Sequence, residues 1–216
     1  TLMGVFAERT AQKYGFSREA QDEFAIRSLT RAKKAIEDGS FKREVTPVTF
    51  KNRKGETVVE LDEQPLTANL EKIRNLRPAF TKDGTVTAAN SSSISDGAAA
   101  LIMMRESTAE KRGMKPIARF LGHSSFAHSP EWFTTAPIGA IISVLESVGW
   151  NANEVDLFEI NEAFAVVTMA AMKDLDLPPD KVNIHGGACA LGHPVGASGT
   201  RILVTLISAL QKYGKI

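Results

Sequence analysis

Short apolar runs alternate with helix-like stretches along the second half of the chain. Strand-like runs are found at 117–122, 155–160 and 181–184, and helical spacing of apolar residues at 138–148, 163–175 and 200–213. Alternation of this kind is typical of βαβ units, in which parallel strands are joined by helices. The pattern therefore predicts an α/β fold with a mainly parallel sheet.

The first half of the chain has a different pattern, helical and rich in loops. Apolar spacing predicts a helix over Met3–Tyr14, and a second over Arg18–Asp38 with Ser17 as its N-cap. A short helix is expected at 70–76, and an almost wholly apolar run at 98–104 predicts a buried strand. Between the helices, segments 45–50 and 57–61 flank Asn52-Arg53-Lys54-Gly55, a sequence typical of a hairpin turn.

Composition narrows the class of protein. The chain has 216 residues, 43% hydrophobic and 24% charged, which is ordinary for a globular protein. Its formal net charge of +1 gives no overall field for nucleic acid or an anionic membrane, and no apolar run reaches the ~20 residues of a membrane span. The single cysteine, Cys189, excludes an internal disulfide.

The strongest candidate for chemistry is the glycine-rich stretch 183–199, between the last strand-like run and the last helix. Five glycines allow its backbone to lie close to a ligand, and the helix start favours negative charge. The stretch fits neither the dinucleotide fingerprint nor the phosphate loop, since His193 and Pro194 replace the lysine and hydroxyl that a phosphate loop requires. His193 is either a proton acceptor in a cleft or a turn histidine satisfied by backbone.

A second candidate follows the strand-like run 155–160. Asn161 and Glu162 lie where ligands bind in parallel sheets, beyond the carboxyl end of a strand. Neighbouring strands would bring Asn161 and His193 to the same rim. Asn161 and Glu162 precede the predicted helix 163–175, so one interpretation is that they only cap this helix. The other is that they form a site, in which Asn161 would hold a water or carbonyl and Glu162 would orient His193 or the loop backbone.

Other reactive side chains carry weaker signals. His185 follows a strand-like run and is interpreted as a histidine satisfied beside a turn, or as a residue supporting His193. His123 and His128 have no metal-binding neighbours at zinc spacing, so no metal site is expected. Small apolar residues flank Cys189, which favours packing over nucleophilic chemistry.

The sequences at 161–165, Asn-Glu-Ala-Phe-Ala, and at 186–199, beginning Gly-Gly-Ala-Cys-Ala-Leu-Gly-His-Pro, resemble the paired signature of the thiolases. Other segments also resemble the thiolases, so the resemblance covers nearly the whole chain: Met3-Gly4, Asp22–Ala25, Leu76–Phe80 and 84–97. More specifically, the chain resembles acetyl-CoA C-acetyltransferases. The resemblance implies a layered fold of two βαβαβαββ halves with an inserted helical loop domain on the coenzyme A side.

The same resemblance implies the chemistry. A cysteine is acylated by one acyl-CoA, and a carbanion from acetyl-CoA attacks that thioester in a Claisen condensation whose reverse is thiolysis. His193 resembles the residue that accepts the nucleophile's proton, and Asn161 the one that fixes a water in the oxyanion hole. The resemblance further implies that substrate-binding residues are Ser92, on the pantetheine arm, and Met3, Phe80, Ala88 and Phe164, along the acyl and pantetheine tunnel.

The resemblance also divides the chain. It implies a loop domain at 1–97, a strand and connection of the N-terminal half at 98–115, and a C-terminal half at 116–216 without its last two strands. The family's acylated cysteine precedes this region and a second cysteine follows it. The chain is therefore expected to be an incomplete, inactive piece of a longer protein with unpaired strand edges.

Expectations for partners and location follow from the resemblance too. The protein is expected to use acyl-CoA substrates without a further cofactor and to bind neither nucleic acid nor a membrane. It is expected to form a homo-oligomer of two or four copies in the cytoplasm or the mitochondrial matrix. Two alternatives stay open: a degradative thiolase for longer 3-ketoacyl-CoA chains, and a non-catalytic module that binds coenzyme A.

Overall fold

The structure, a computed structural model, describes residues 1–53 and 55–215. Its α-helices are α1 Met3–Tyr14, α2 Arg18–Glu37, α3 Glu63–Thr67, α4 Leu70–Ile73, α5 Glu106–Lys111, α6 Ala136–Val148, α7 Ala165–Asp174, α8 Ala188–Leu191 and α9 Val195–Tyr213. Two strands, β1 Val48–Asn52 and β2 Gly55–Val59, form an antiparallel hairpin. Short 3₁₀ helices occupy Ser40–Arg43, Pro130–Thr135 and Ala152–Glu154.

Capping residues mark the end of α1 and the start of α2. α1 ends at Gly15, whose φ of 68° is left-handed and open to glycine without strain. Ser17 caps α2, because its side chain accepts a hydrogen bond from the backbone N–H of Ala20. The predicted bounds of α1 are confirmed, and α2 ends one residue before the predicted end.

The hairpin is confirmed, but the bounds of its strands differ from the prediction. Val48 pairs with Val59 and Asn52 with Gly55, so both strands begin or end two to three residues from the predicted bounds. All residues of β1 are exposed, as are the residues of β2, so no buried face defines the pairing from sequence alone. The predicted turn contains Lys54, which lies outside the described residues.

The core surrounds α7. Six of its ten residues are buried, and a helix that is apolar on all sides must be covered on all sides. One face packs against Phe158, Ile160 and Val182, and the other against Ala7 and Val86. α7 therefore joins the segment before Asn161 to the first helix of the chain.

The predicted parallel strands at 155–160 and 181–184 pair only briefly. The backbone N–H of Phe158 donates to Lys181 (2.8 Å) and that of Asn183 to Phe158 (2.9 Å), which forms a single parallel bridge. The Asn183 side chain extends the contact, because its Oδ1 accepts from the backbone N–H of Ile160 and its Nδ2 donates to the carbonyl of Ile160.

The strands predicted at 98–104 and 117–122 are wrong as hydrogen-bonded strands. Both segments are without regular secondary structure, and neither pairs with another segment within the described residues. A strand is stable only beside a neighbour, and apolar side chains such as Ile102 (87% exposed) and Ile117 (67%) have none here. An apolar pattern predicts a strand only where another segment is present to pair with it and cover it.

The last helix begins earlier than predicted. α9 starts at Val195 rather than at residue 200, and α8 forms inside the glycine-rich stretch. Gly196 and Gly199 have low helix propensity and conceal the first turn in the sequence. As a result, Ser198 lies on a helix that begins directly after His193 and Pro194.

Candidate active site

Asn161 and His193 face each other at the tips of neighbouring segments. The Asn161 Nδ2 amide lies 3.4 Å from both ring nitrogens of His193. Asn161 follows the extended segment that pairs with Val182, and His193 lies between α8 and α9. The structure therefore brings together the two residues that the sequence places at one rim.

Ser198 determines which ring nitrogen of His193 is free. Its Oγ lies 2.6 Å from Nδ1 and 3.1 Å from the carbonyl of Pro194. A hydroxyl has one proton to donate, and the carbonyl can only accept. With Ser198 donating to Pro194, its Oγ accepts from Nδ1–H, and the lone pair of the ring then lies on Nε2. A neutral imidazole in this tautomer is a proton acceptor at Nε2.

The surroundings of His193 keep it neutral. Burial lowers the pKa of His193, and the nearby Arg201 guanidinium lowers it further. The group is then unprotonated at neutral pH and ready to accept a proton.

Glu162 organises the glycine-rich loop rather than His193. Its buried carboxylate accepts from Ser28 Oγ (2.7 Å), Asn183 Nδ2 (2.9 Å) and the backbone N–H of Cys189 (3.1 Å). A Cβ at Gly187 would lie 2.4 Å from the Glu162 carboxyl carbon, so only glycine lets the loop approach this closely. Of the two roles expected for Glu162, the structure shows the contact with the loop backbone.

A turn at 91–97 closes one side of the site. The backbone N–H of His193 donates to the carbonyl of Ser93 (3.0 Å), and a Cβ at Gly97 would lie 2.7 Å from Pro194. The Ser92 hydroxyl donates to the carbonyl of Ala163 (2.9 Å), two residues beyond Asn161. Ser92, Asn161 and His193 are therefore held on adjoining segments.

The predicted tunnel residues lie in two places. Phe80 and Phe164 pack edge to face with ring centroids 6.0 Å apart, and a Cβ at Gly4, beside Met3, would strike the Phe80 ring. The Met3 side chain is 56% exposed. Ala88 instead lines a cavity of about 230 Å³ that also reaches Leu29, Gln64 and Cys189. A larger groove of about 460 Å³ between α2 and α7 contains none of the predicted residues.

Cys189 is a poor nucleophile. It is fully buried, and burial together with the neighbouring Glu162 carboxyl raises its pKa well above the ordinary value. Its backbone, in contrast, is engaged at both ends, since its carbonyl accepts from Gln64 Nε2 (2.7 Å). This geometry fits the packing role expected from its small neighbours.

The remaining histidines lie apart from His193. His185 is buried beneath the end of α9, with Nε2 3.2 Å from Tyr213 Oη, and His128 bonds the carbonyl of Trp132. His123 stacks on Phe120. Within residues 1–53 and 55–215, no three His, Cys, Asp or Glu side chains are arranged to hold a metal ion.

Sequence reasoning missed three residues that support the site: Ser28, Ser198 and Arg201. Ser198 was detectable, because a serine five residues after a histidine in the first turn of a helix can reach back to the ring. Placing the helix start at residue 200 hid it. Ser28 bonds Glu162 from a distant helix, and no local pattern announces such a contact.

The arrangement offers a neutral imidazole base beside an amide donor. A base near neutrality can take a proton from a thiol or carbon acid, and a fixed N–H can stabilise an oxygen on which negative charge develops. Asn161 Oδ1 is buried and has no hydrogen-bond partner within the described part of the chain.

Among the described residues, no helix is both long and apolar enough for a membrane crossing.

Comparisons with known proteins show the family to which the chain belongs. The family profile for the thiolase N-terminal domain matches residues 1–107, and that for the C-terminal domain matches 114–216. The chain is 49% identical over 215 residues to cytosolic acetyl-CoA acetyltransferase of Mus musculus, covering 98% of this chain and 54% of that protein.

Solved structures give the same result for the fold. The acetyl-CoA acetyltransferase of Bacillus anthracis superposes with a TM-score of 0.96 at 45% identity, over 99% of this chain and 55% of that one. A thiolase of Ascaris suum in complex with coenzyme A gives 0.91 at 44% identity, over 96% and 53%. The chain thus spans about half the length of the relatives it matches.

Proposed function

Because the chain belongs to the thiolase family, we propose that it supplies the acid–base part of an acetyl-CoA acetyltransferase. The complete protein joins two acetyl-CoA molecules into acetoacetyl-CoA and coenzyme A, and it catalyses the reverse thiolysis. One observation carries the proposal: Asn161 Nδ2 lies 3.4 Å from both ring nitrogens of His193, whose Nδ1 is held by Ser198 Oγ at 2.6 Å.

In the proposed acylation step, His193 Nε2 takes the proton of a cysteine thiol. The thiolate attacks the acyl-CoA carbonyl carbon, and the carbonyl electrons move to the oxygen, which His193 and a water held by Asn161 stabilise. When the carbonyl reforms, the carbon–sulfur bond to coenzyme A breaks, and the leaving thiolate takes the proton. The product is a thioester on the protein and free coenzyme A.

The condensing step follows on the same thioester. Loss of a proton from the methyl group of a second acetyl-CoA gives a carbanion, which attacks the thioester carbonyl. The new carbon–carbon bond forms while the protein thiolate leaves, so acetoacetyl-CoA is released and the thiol is restored. We assign the removal of that methyl proton to the thiolate of a second cysteine, as the resemblance implies, and the proton then passes to the leaving protein thiolate.

The acylated thiol does not come from this chain. Cys189 is the single cysteine of the 216 residues, and burial with a raised pKa makes it unreactive. The proposal therefore places both reactive thiols in other parts of the complete protein and predicts that these 216 residues alone do not turn over acyl-CoA. The shorter span relative to the mouse protein supports this assignment.

The remaining assignments belong to the same proposal. Ser92, Met3, Phe80, Ala88 and Phe164 contact the pantetheine and acyl parts of the substrate. No cofactor is needed, since imidazole, amide and thiols carry every proton and bond change. The complete protein is a homo-oligomer in the cytoplasm, or in the mitochondrial matrix.

A chimera tests the proposal. This chain replaces the matching stretch of the Bacillus anthracis enzyme, which it resembles over 99% of its length, and acetoacetyl-CoA thiolysis is measured. We expect turnover in the chimera and none in the 216 residues alone. His193→Ala should lower kcat on the order of 10²–10⁴-fold, the usual cost of a lost acid–base group.

The exposed His123→Ala is the matched control and should leave the rate unchanged. A His193→Ala effect below tenfold would remove His193 from its role, and thiolysis by the isolated chain would refute the assignment of the thiols. Faster cleavage of longer 3-ketoacyl-CoA chains would favour the degradative thiolase. Coenzyme A binding by a chimera without turnover would favour the non-catalytic module.

A further inference from the structure

Glu159 and Arg201 form a pair between the segment that ends at Asn161 and helix α9. Glu159 Oε2 and Arg201 Nη1 lie 3.8 Å apart, with side chains 4% and 20% exposed. Both atoms are buried without a hydrogen-bond partner within the described residues. A buried carboxyl and guanidinium that face each other at this distance require an explanation.

The pair joins the two segments that present the site. Glu159 precedes Asn161 by two residues in an extended segment, so its side chain lies on the same side. Arg201 follows Ser198 by three residues on α9 and shares its helix face. Ser198 in turn bonds His193 Nδ1 at 2.6 Å.

Stability alone is a weak reason for such a pair. Desolvating two ionisable groups costs about as much as their attraction returns, and apolar residues of similar volume are often equally stable. What the contact does provide is a link between α9 and the segment that carries Asn161.

We propose that Arg201 and Glu159 are positioning residues, which hold α9 against the Asn161 segment so that the His193 ring and the Asn161 amide face each other. This role rests on the proposed function in one respect: the residues that the pair positions, Asn161 and His193, are the ones to which the reaction is assigned. Neither Arg201 nor Glu159 contacts substrate in the proposal.

Charge gives Arg201 a second, measurable effect. Several carboxyl groups face it from other elements: Glu44 after the 3₁₀ helix Ser40–Arg43, Asp62 after β2, Glu159, and Glu162. Arg31 on α2 also acts on Glu159 as a cation. Burial raises the pKa of Glu159 to about 8, so at neutral pH this carboxyl is protonated and leaves the positive charge of Arg201 acting on His193.

Nuclear magnetic resonance titration of the 216-residue chain, at dilutions where light scattering shows a monomer, tests the charge effect without any assay of turnover. In Arg201→Gln the His193 pKa should rise, since a repelling cation is lost, while Arg201→Lys should restore the wild-type value. Lys212→Gln is the matched control on the same helix, because Lys212 lowers the pKa of His185 instead. It should raise the His185 pKa and leave His193 unchanged.

Contacts between the Asn161 amide protons and His193 Hε1, measured as nuclear Overhauser effects below pH 7, test the positioning. Glu159→Gln mimics the protonated carboxyl and should keep the contact. Glu159→Leu should lose it while the rest of the spectrum stays folded. If Arg201→Gln does not fold, Arg201→Lys and the two Glu159 variants decide.

An unchanged His193 pKa in Arg201→Gln, or an intact contact in Glu159→Leu, would overturn the inference. Loss of the contact equally in Glu159→Gln and Glu159→Leu would also count against it, since the isosteric variant should substitute. These outcomes are independent of the chimera assay, so failure of the proposed function and failure of the positioning role are told apart.

Discussion

Gly187 is the residue on which the shape of the candidate site depends most directly. Its missing side chain lets the Glu162 carboxylate approach the loop and accept hydrogen bonds from Ser28 and Cys189. That carboxylate is 1% exposed and would be costly to leave without partners. One hydrogen atom in place of a methyl group therefore determines how the loop before His193 is held.

Gly187→Ala should destabilise the chain by about 2 kcal/mol or more, because the new methyl displaces a buried carboxylate. Gly199→Ala is the control, since nothing lies within 4 Å of its Cβ and it lies inside α9. It should stabilise by up to ~1 kcal/mol. Urea denaturation measures both, and equal midpoints for the two variants would contradict the contact with Glu162.

At this scale, the sequence announces residues whose partners are local or whose segments meet by rule. Asn161 and His193 were placed together because parallel segments end at the same rim. Glu159 and Arg201 were not found, since a charged residue in an apolar run and another on an amphipathic helix look like ordinary surface positions. Only the packing of α9 against the Asn161 segment makes them a pair.

Helices were the elements most predictable from sequence. Ser17 and Gly15 mark their boundaries by local hydrogen bonding and backbone conformation, which need no tertiary context. Strands were less predictable, because a strand depends on a neighbour elsewhere in the chain. Segments 98–104 and 117–122 have the composition of buried strands but no pairing segment within the described residues.

These two segments should make the isolated chain self-associate, because exposed apolar residues on unpaired extended backbone are a template for other chains. Ile102→Lys should reduce the association, whereas Leu2→Lys, also at an exposed apolar residue but outside the segments, should not. Light scattering over a range of protein concentrations measures the effect. Similar scattering by wild type and Ile102→Lys would contradict the expectation.

The molecule as a whole is built around α7, with the thiolase fold confirmed by its likeness to the Bacillus anthracis structure. The α/β class was predictable from the alternation of strand-like and helical patterns. The way in which the first-half helices pack on α7 was not, because Ala7 and Val86 meet it through contacts distant in sequence.

Global stability should fall as pH rises from about 5 to 8. The folded-state pKa of Glu159 is about 8 against an ordinary 4.5, so over this window the folded chain holds a proton that the unfolded chain has lost. Stability present below the unfolded pKa is then lost as pH approaches the folded value, by on the order of a few kcal/mol.

Glu159→Gln removes the titrating carboxyl, so the stability of this variant should fall less between pH 5 and pH 8. His185 and His193 have lowered pKa values and act in the opposite direction, adding stability as pH rises through 6.5. The wild type and Glu159→Gln share these histidines. The change in unfolding free energy between pH 5 and pH 8, compared between the two proteins, therefore isolates the contribution of Glu159. Parallel pH profiles would show that Glu159 does not titrate as described.

The sealed position of Cys189 has a practical consequence. A maleimide or iodoacetamide probe has no accessible sulfur to label in the folded chain, because the only cysteine is fully buried. In a chimera or a reconstituted mixture, every fluorophore attached under native conditions would therefore report a thiol contributed by the other component. The chain itself would contribute no label, so the fluorescence of the mixture would measure the reactive thiol of the other component directly.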